Sequence, residues 1–231
     1  MPRNARIVVP GAAHHVTQRG IRRSPIFYDS EDRDSYTEVI GRNCEKFGVG
    51  ILAWCWMTNH VHLVAVPEHA NSLALALRRA HSIYARRFNA KYHFSGYLWQ
   101  NRYYSCPLDE SHTFAAIRYV EQNPVRANMV VLAEDYPWSS ARAHSRGCAD
   151  VLLSVDWTLP PMEASWSSWL AGQDDRETTR LIRANTTKGY PVGTEEFISQ
   201  LESDFGRPLR PRPPGPQPGH SGKLAIQSRR S

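Results

Sequence analysis

The spacing of apolar residues changes several times along the chain, and each change marks an element. His14 to Arg19, H-H-V-T-Q-R, alternates as a short strand and closes at Gly20. Tyr36, Val39, Ile40, Cys44 and Phe47 then recur three and four apart. This predicts a helix from about Glu31 to Phe47, capped by Asp29 or Ser30 and stopped by Gly48. The apolar run I-L-A-W-C-W-M after Gly50 and the segment H-V-H-L-V-A-V, ending at Pro67, flank Thr58-Asn59 as the arms of a β-hairpin. A second helix is predicted from a Ser72 cap to about Tyr92, with Leu73, Leu77, Ala80, Tyr84 and Phe88 on one stripe. A fourth strand falls around Arg102 to Leu108. Asp109 caps a further helix to about Asn123, where Pro124 disfavours continuation.

The order β-α-β-β-α-β, followed by a helix, predicts an α+β fold of ferredoxin-like type. Its four-stranded antiparallel sheet carries two helices on one face and leaves the other open to a ligand. The main domain is expected to span residues 1–133. A Trp-rich stretch and two amphipathic segments, near Asp174 to Asn185 and Glu195 to Phe205, make residues 134–205 a small helical appendage. Residues 206–231, rich in Pro and Arg, are expected to be a disordered basic tail.

Composition adds little to this picture until charge is located. The chain has 231 residues, 41 % of them hydrophobic and 22 % charged, as a soluble globular protein does. The N-terminus has no apolar leader and the longest apolar run, Ile51 to Met57, cannot span a bilayer, so a cytoplasmic protein with no membrane partner is expected. Cys44, Cys55, Cys106 and Cys148 form no C-x-x-C pair and are expected to be core thiols. The net charge of +6 is segregated: residues 69–108 carry six bases and no acid, whereas residues 134–204 carry twelve acids against six bases. Such segregation suits a polyanion, although a solvated face gives the same pattern.

Two pairs of residues carry candidate chemistry. His60 and His62 lie two apart on a strand, so both imidazoles point to one face, preset for one metal ion or for ordinary hydrogen bonding. Tyr119 and Asn123 lie four apart on a helix, where a phenol and an amide oxygen share a face, although a core tyrosine and a helix-end asparagine would look the same. Together they offer imidazole and amide ligands beside a phenol, which is chemistry for a phosphodiester.

The ordered segments M-T-N-H-V-H-L-V, S-G-Y-L-W-Q-N-R-Y, R-Y-V-E-Q-N-P-V-R-A and Y-P-W-S-S resemble the landmarks of the single-tyrosine HUH transposases, specifically the REP-associated tyrosine transposases. The likeness spans about Gly11 to Ala143 and makes residues 1–133 the catalytic domain. It implies that His60 and His62 bind the metal, that Asn123 is the third ligand and that Tyr119 is the nucleophile. It further implies Mg²⁺ or Mn²⁺ as cofactor, single-stranded or hairpin DNA as substrate and a covalent 5′-phosphotyrosine intermediate. One departure is Gly11-Ala12-Ala13, where many members carry Gly-Thr-Trp. Arg19, Arg78, Arg79, Arg86, Arg87, Lys91, Trp99 and Arg102 are candidate DNA contacts, and the working unit is a monomer or a homodimer. Two other functions fit the same residues: a DNA-hairpin binder that does not cut, and a hydrolase whose histidine-bound metal activates water, for which Glu121 is on the wrong helix face.

Overall fold

The structure is a computed structural model that describes residues 6–154, 164–172 and 175–210. Strands β1 (His14–Arg19), β2 (Val49–Met57), β3 (His60–Pro67) and β4 (Tyr104–Pro107) form one antiparallel sheet in the order β2-β3-β1-β4. Helices α1 (Ser30–Lys46) and α2 (Ser72–Tyr92) complete the β-α-β-β-α-β unit. After β4 follow α3 (Glu110–Glu121), the single turn α4 (Asn123–Arg126), α5 (Ala141–Arg146), α6 (Trp166–Ala171), α7 (Arg176–Lys188) and α8 (Glu195–Phe205).

Local chemistry sets the boundaries. Asp29 caps α1 in a reciprocal box with Asp32, each side chain accepting from the other's backbone N–H. At Gly20 an added Cβ would collide with the Ser24 carbonyl oxygen, so β1 ends where only glycine fits. Pro124 lacks an N–H and sits in the first turn of α4, and the backbone leaves α3 at Gln122. The helix expected to run unbroken through Tyr119 to Asn123 is therefore two helices, with Asn123 beyond the break.

The strand register sorts side chains onto two faces. Val16, Trp54, Trp56, Val61, Leu63 and Ala65 pack under α1 and α2 with Tyr36, Leu73, Leu77 and Tyr84. Leu52, Ala53, Cys55, Met57, Val64 and Cys106 turn to the opposite face, where α3 supplies Ala116, Ile117, Tyr119 and Val120 and α7 supplies Ile182. The sheet is thus covered on both sides, and the open face expected from strand order alone is closed by α3 and α7. An unbroken apolar run such as Ile51 to Met57 suits a strand buried on both faces.

Three of the four cysteines are buried as expected, whereas Cys148 is exposed. Residues 206–210, the start of the expected tail, do not all hang free. Leu209 is buried against Ile7 and Leu201, and Arg210 pairs with Glu195 and Glu202. The remainder of that tail lies outside the described residues. Among the described residues no helix is long and apolar enough to cross a membrane.

Two histidines in the core are locked neutral. His14 Nδ1–H donates to the Ala12 carbonyl at 2.9 Å while Nε2 accepts from the Val9 N–H at 3.2 Å. His81 Nε2 is hydrogen-bonded to the Tyr36 hydroxyl at 3.1 Å. Burial pushes them from 6.5 down to about 4 and about 3, respectively. Below pH 6.5 the unfolded chain takes up protons that these native rings refuse, so stability is complete above that value and declines as pH falls toward 4. Thermal unfolding is expected to show a midpoint flat from about pH 7 to 8 and falling steadily from about 6.5 to 4, with a shallower fall in His14→Asn/His81→Asn. A midpoint unchanged across the acid range, or an equal slope in the variant, contradicts this.

Candidate active site

His60, His62 and Tyr119 meet where β1 and β3 run side by side under α3. Thr17 pairs with His62 and Arg19 with His60, so His15, Thr17 and Arg19 share a face with the two histidines. Tyr119 hangs from α3 onto that face. Its ring lies edge-on to His62 and to His15, with centroids 5.5 and 5.4 Å away, and the His60 and His62 rings are 4.9 Å apart. Tyr119 is 6 % exposed and His62 4 %, so the site is a nearly closed pocket of rings.

Hydrogen bonds fix which nitrogen of each imidazole carries hydrogen. The Asn59 amide NH₂ donates to the Arg23 carbonyl, so its oxygen accepts from His60 Nδ1–H at 2.7 Å. Thr186, on α7, gives its hydroxyl hydrogen to the Ile182 carbonyl at 2.7 Å and therefore accepts from His15 Nδ1–H, also at 2.7 Å. His15, fully buried with no carboxylate of the described residues against it, is neutral, so its Nε2 accepts from His62 Nδ1–H at 3.0 Å. His60 and His62 consequently both present a bare Nε2 lone pair. Burial pushes His15 down to about 3, and burial with the nearby Arg19 and Arg183 pushes His60 down to about 4. His62 lies well below 6.5, chiefly by burial. All three are neutral near pH 7, the state a metal ligand needs.

Positive charge surrounds the phenol. The Arg126 guanidinium sits 4.5 Å over the Tyr119 ring centroid and donates to the Tyr119 carbonyl. Burial raises the phenol above 10, while Arg183, Arg126 and Arg19 pull it back down. No carboxylate faces it from its own helix. Glu121, wholly buried, accepts from Ser140, from His144 Nδ1 at 2.6 Å and from the Trp166 indole at 2.7 Å, tying α3 to α5 and α6. Within Y-P-W-S-S, the Tyr136 hydroxyl donates to the Trp56 carbonyl and Ser140 reaches Glu121, so this segment braces β2 against α3.

The other expected site residues are distributed differently. Asn123 is half-buried and donates from its amide to the Val120 carbonyl at 3.2 Å, and no hydrogen bond joins it to His60, His62 or Tyr119. Among the described residues no three His, Cys, Asp or Glu side chains converge on one point, so an oxygen from an uncharged group would have to complete any cation shell. Arg19 flanks the site. Arg78, Arg79, Arg86, Arg87 and Lys91 project from α2, which covers the opposite face of the sheet. Arg87 pairs there with Glu38, and Lys91 with Asp29, Glu31 and Asp32. Trp99 packs on Tyr36, His81 and Tyr84 and donates to the His81 carbonyl, and Arg102 is exposed beside β4. Sequence reasoning passed over His15, Thr186, Arg126 and Arg183. Of these His15 had a signal, since strand alternation in a β1–β3 pair puts it on the face of His62.

Fold and site together define a class of α+β protein in which a helix-borne tyrosine meets a His-Val-His strand on a ferredoxin-like sheet. Residues 8–123 match the family described as "Transposase IS200 like", and the chain belongs to that family. A protein of Haemophilus influenzae named as a REP-associated tyrosine transposase is 27 % identical over 125 residues, covering 49 % of this chain and 68 % of the relative. A solved structure of a REP-associated tyrosine transposase bound to a REP hairpin shares the fold. Its TM-score is 0.53 at 20 % identity, over 71 % of this chain and 97 % of that one.

If the His15–Thr186 relay sets the His62 tautomer, His15→Ala and Thr186→Val are each expected to weaken Mn²⁺ binding to the DNA-free protein by about tenfold, the usual scale for a partner behind a metal ligand. Calorimetric titration should find the double variant no weaker than His15→Ala alone. Wild-type affinity in both single variants contradicts the relay.

Proposed function

We propose that this chain cuts and rejoins single-stranded DNA, with Tyr119 as nucleophile and His60, His62 and the Asn123 amide oxygen as ligands of Mg²⁺ or Mn²⁺. The observation that carries the reading is the contact of the Tyr119 ring with His62, whose bare Nε2 is fixed by hydrogen bonding. Two imidazole lone pairs and an amide oxygen are a donor set that suits such a cation, with water and phosphate oxygens making up the rest. When bound, the cation would polarise the attacked phosphate as a Lewis acid.

The chain's own groups account for the rest. Tyr119 Oη forms a bond to phosphorus as the bond to the departing 3′-oxygen breaks; the phenol gives up its proton and the departing oxygen takes one up. The product is a 5′-phosphotyrosine and a free 3′-hydroxyl, and attack by such a hydroxyl reverses the step without ATP. Arg126, Arg183 and Arg19 favour the phenolate against the burial that opposes it. The near-closed ring pocket limits water, which would otherwise hydrolyse the linkage. Glu121 is held by three donors away from Tyr119, which disfavours a hydrolase using it as base. Hairpin DNA as the form bound is supported by the REP hairpin that the solved relative holds.

Incubation of a single-stranded hairpin carrying unpaired flanks with Mn²⁺, followed by a denaturing gel, is expected to show a protein–DNA adduct. Tyr119→Phe should lose it while still binding the DNA. Cleavage that survives in Tyr119→Phe would identify the hydrolase, and hairpin binding without any adduct from the wild type would identify a binder.

A further inference from the structure

Helix α7 has two unlike faces. Ile182, Asn185 and Thr186 are buried against the sheet, and Thr186 reaches His15. The outward face carries Arg176, Arg180 and Arg183, all exposed and spaced four and three apart on one side of the helix. These three line a cleft of about 970 Å³ with Arg126, Thr179 and Thr187, and among the described residues no Asp or Glu lines it. Tyr119 lies beside this cleft, since Arg126, which lines it, sits over the Tyr119 ring, and the charge of Arg183, which also lines it, acts on both Tyr119 and His60.

We propose that Arg176, Arg180 and Arg183 of α7, with Arg126, are the track for the backbone phosphates of the single strand next to the phosphate that Tyr119 attacks. This deepens the DNA-cleavage reading and rests on it. Guanidinium groups suit the task because each can hold two phosphate oxygens at once. From Arg176 to Arg183 the helix rises about 10 Å, the span of about three stacked nucleotides. The basic residues of α2 are on the other face of the sheet, two of them held by acids of α1. The appendage therefore contributes substrate binding as well as the Thr186 end of the histidine relay.

The test measures affinity of the full chain for a fluorescent hairpin with unpaired flanks, by anisotropy, across a salt series. Removing one phosphate contact is expected to reduce the slope of log K against log salt by about 0.7 for a single strand. Arg176→Ala/Arg180→Ala should bind about tenfold more weakly at low salt, with a slope shallower by about 1.4, while Arg176→Lys/Arg180→Lys recovers most of the slope. Both positions are exposed on a helix where alanine is favourable, so an unchanged melting temperature is the accompanying check on folding. A wild-type affinity and slope in the alanine variant overturns the track, as does a slope lost in Arg78→Ala/Arg79→Ala but kept in the α7 variant. Adduct formation distinguishes the two readings: an adduct with an unaltered slope removes the track alone, and an altered slope without an adduct removes the cleavage reading alone.

Discussion

Tyr119 stands against the rings of His15 and His62, and the rest of the molecule is arranged so that it can. A phenol reaches two strand histidines only if α3 lies flat on the sheet face that β1 and β3 present together. Apolar packing supplies the bulk of that contact through Ala116, Ile117 and Val120 on Leu52, Ala53, Cys55 and Val64. Packing alone would allow a helix to slide. Glu121 removes that freedom, since a buried carboxylate with three donors from α5, α6 and the segment before them tolerates little displacement. Tyr119 is thus held by a polar anchor two residues away, facing in another direction.

The same logic extends to the two strand histidines. Strand geometry puts His60 and His62 on one face, but it says nothing of which nitrogen each presents. That depends on Asn59 for one and on His15 and Thr186 for the other, three side chains far apart in sequence. Because Thr186 belongs to α7, a helix outside the β-α-β-β-α-β unit contributes to the histidine that touches the tyrosine. The family match ends at residue 123, yet the chain beyond it braces Tyr119 through Glu121, orders His62 through Thr186 and surrounds the phenol with charge through Arg126 and Arg183.

Elements governed by local periodicity were legible in the sequence. The strand of His14 to Arg19, the helix from Ser72 to Tyr92 and the hairpin about Thr58-Asn59 fall within a residue or two of where their apolar spacing puts them. The face shared by His60 and His62 followed from the period of a strand. Long-range consequences were harder to see. Covering of the second sheet face depends on α3 and α7 folding back, and strand order carries no such information, although the unbroken Ile51 to Met57 run was its trace. The arginines of α7 sat within an acidic segment whose net charge concealed them, because a helix sorts charge by face and a running count does not. Conversely Arg87 and Lys91, conspicuous in an acid-free stretch, face acids of α1 that are distant in sequence and close in space. Helix spacing put Tyr119 and Asn123 on one unbroken helix, whereas α3 ends at Glu121 and Asn123 opens the separate turn α4, just ahead of Pro124.

A crystal of the Tyr119→Phe protein soaked in Mn²⁺ and recorded at an energy where manganese scatters anomalously would test the central claim most directly. The predicted result is a single strong anomalous peak bonded to Nε2 of both His60 and His62, beside the edge of the aromatic ring at position 119. A peak bound through an Nδ1 atom, or manganese located elsewhere with those two nitrogens bare, would contradict it.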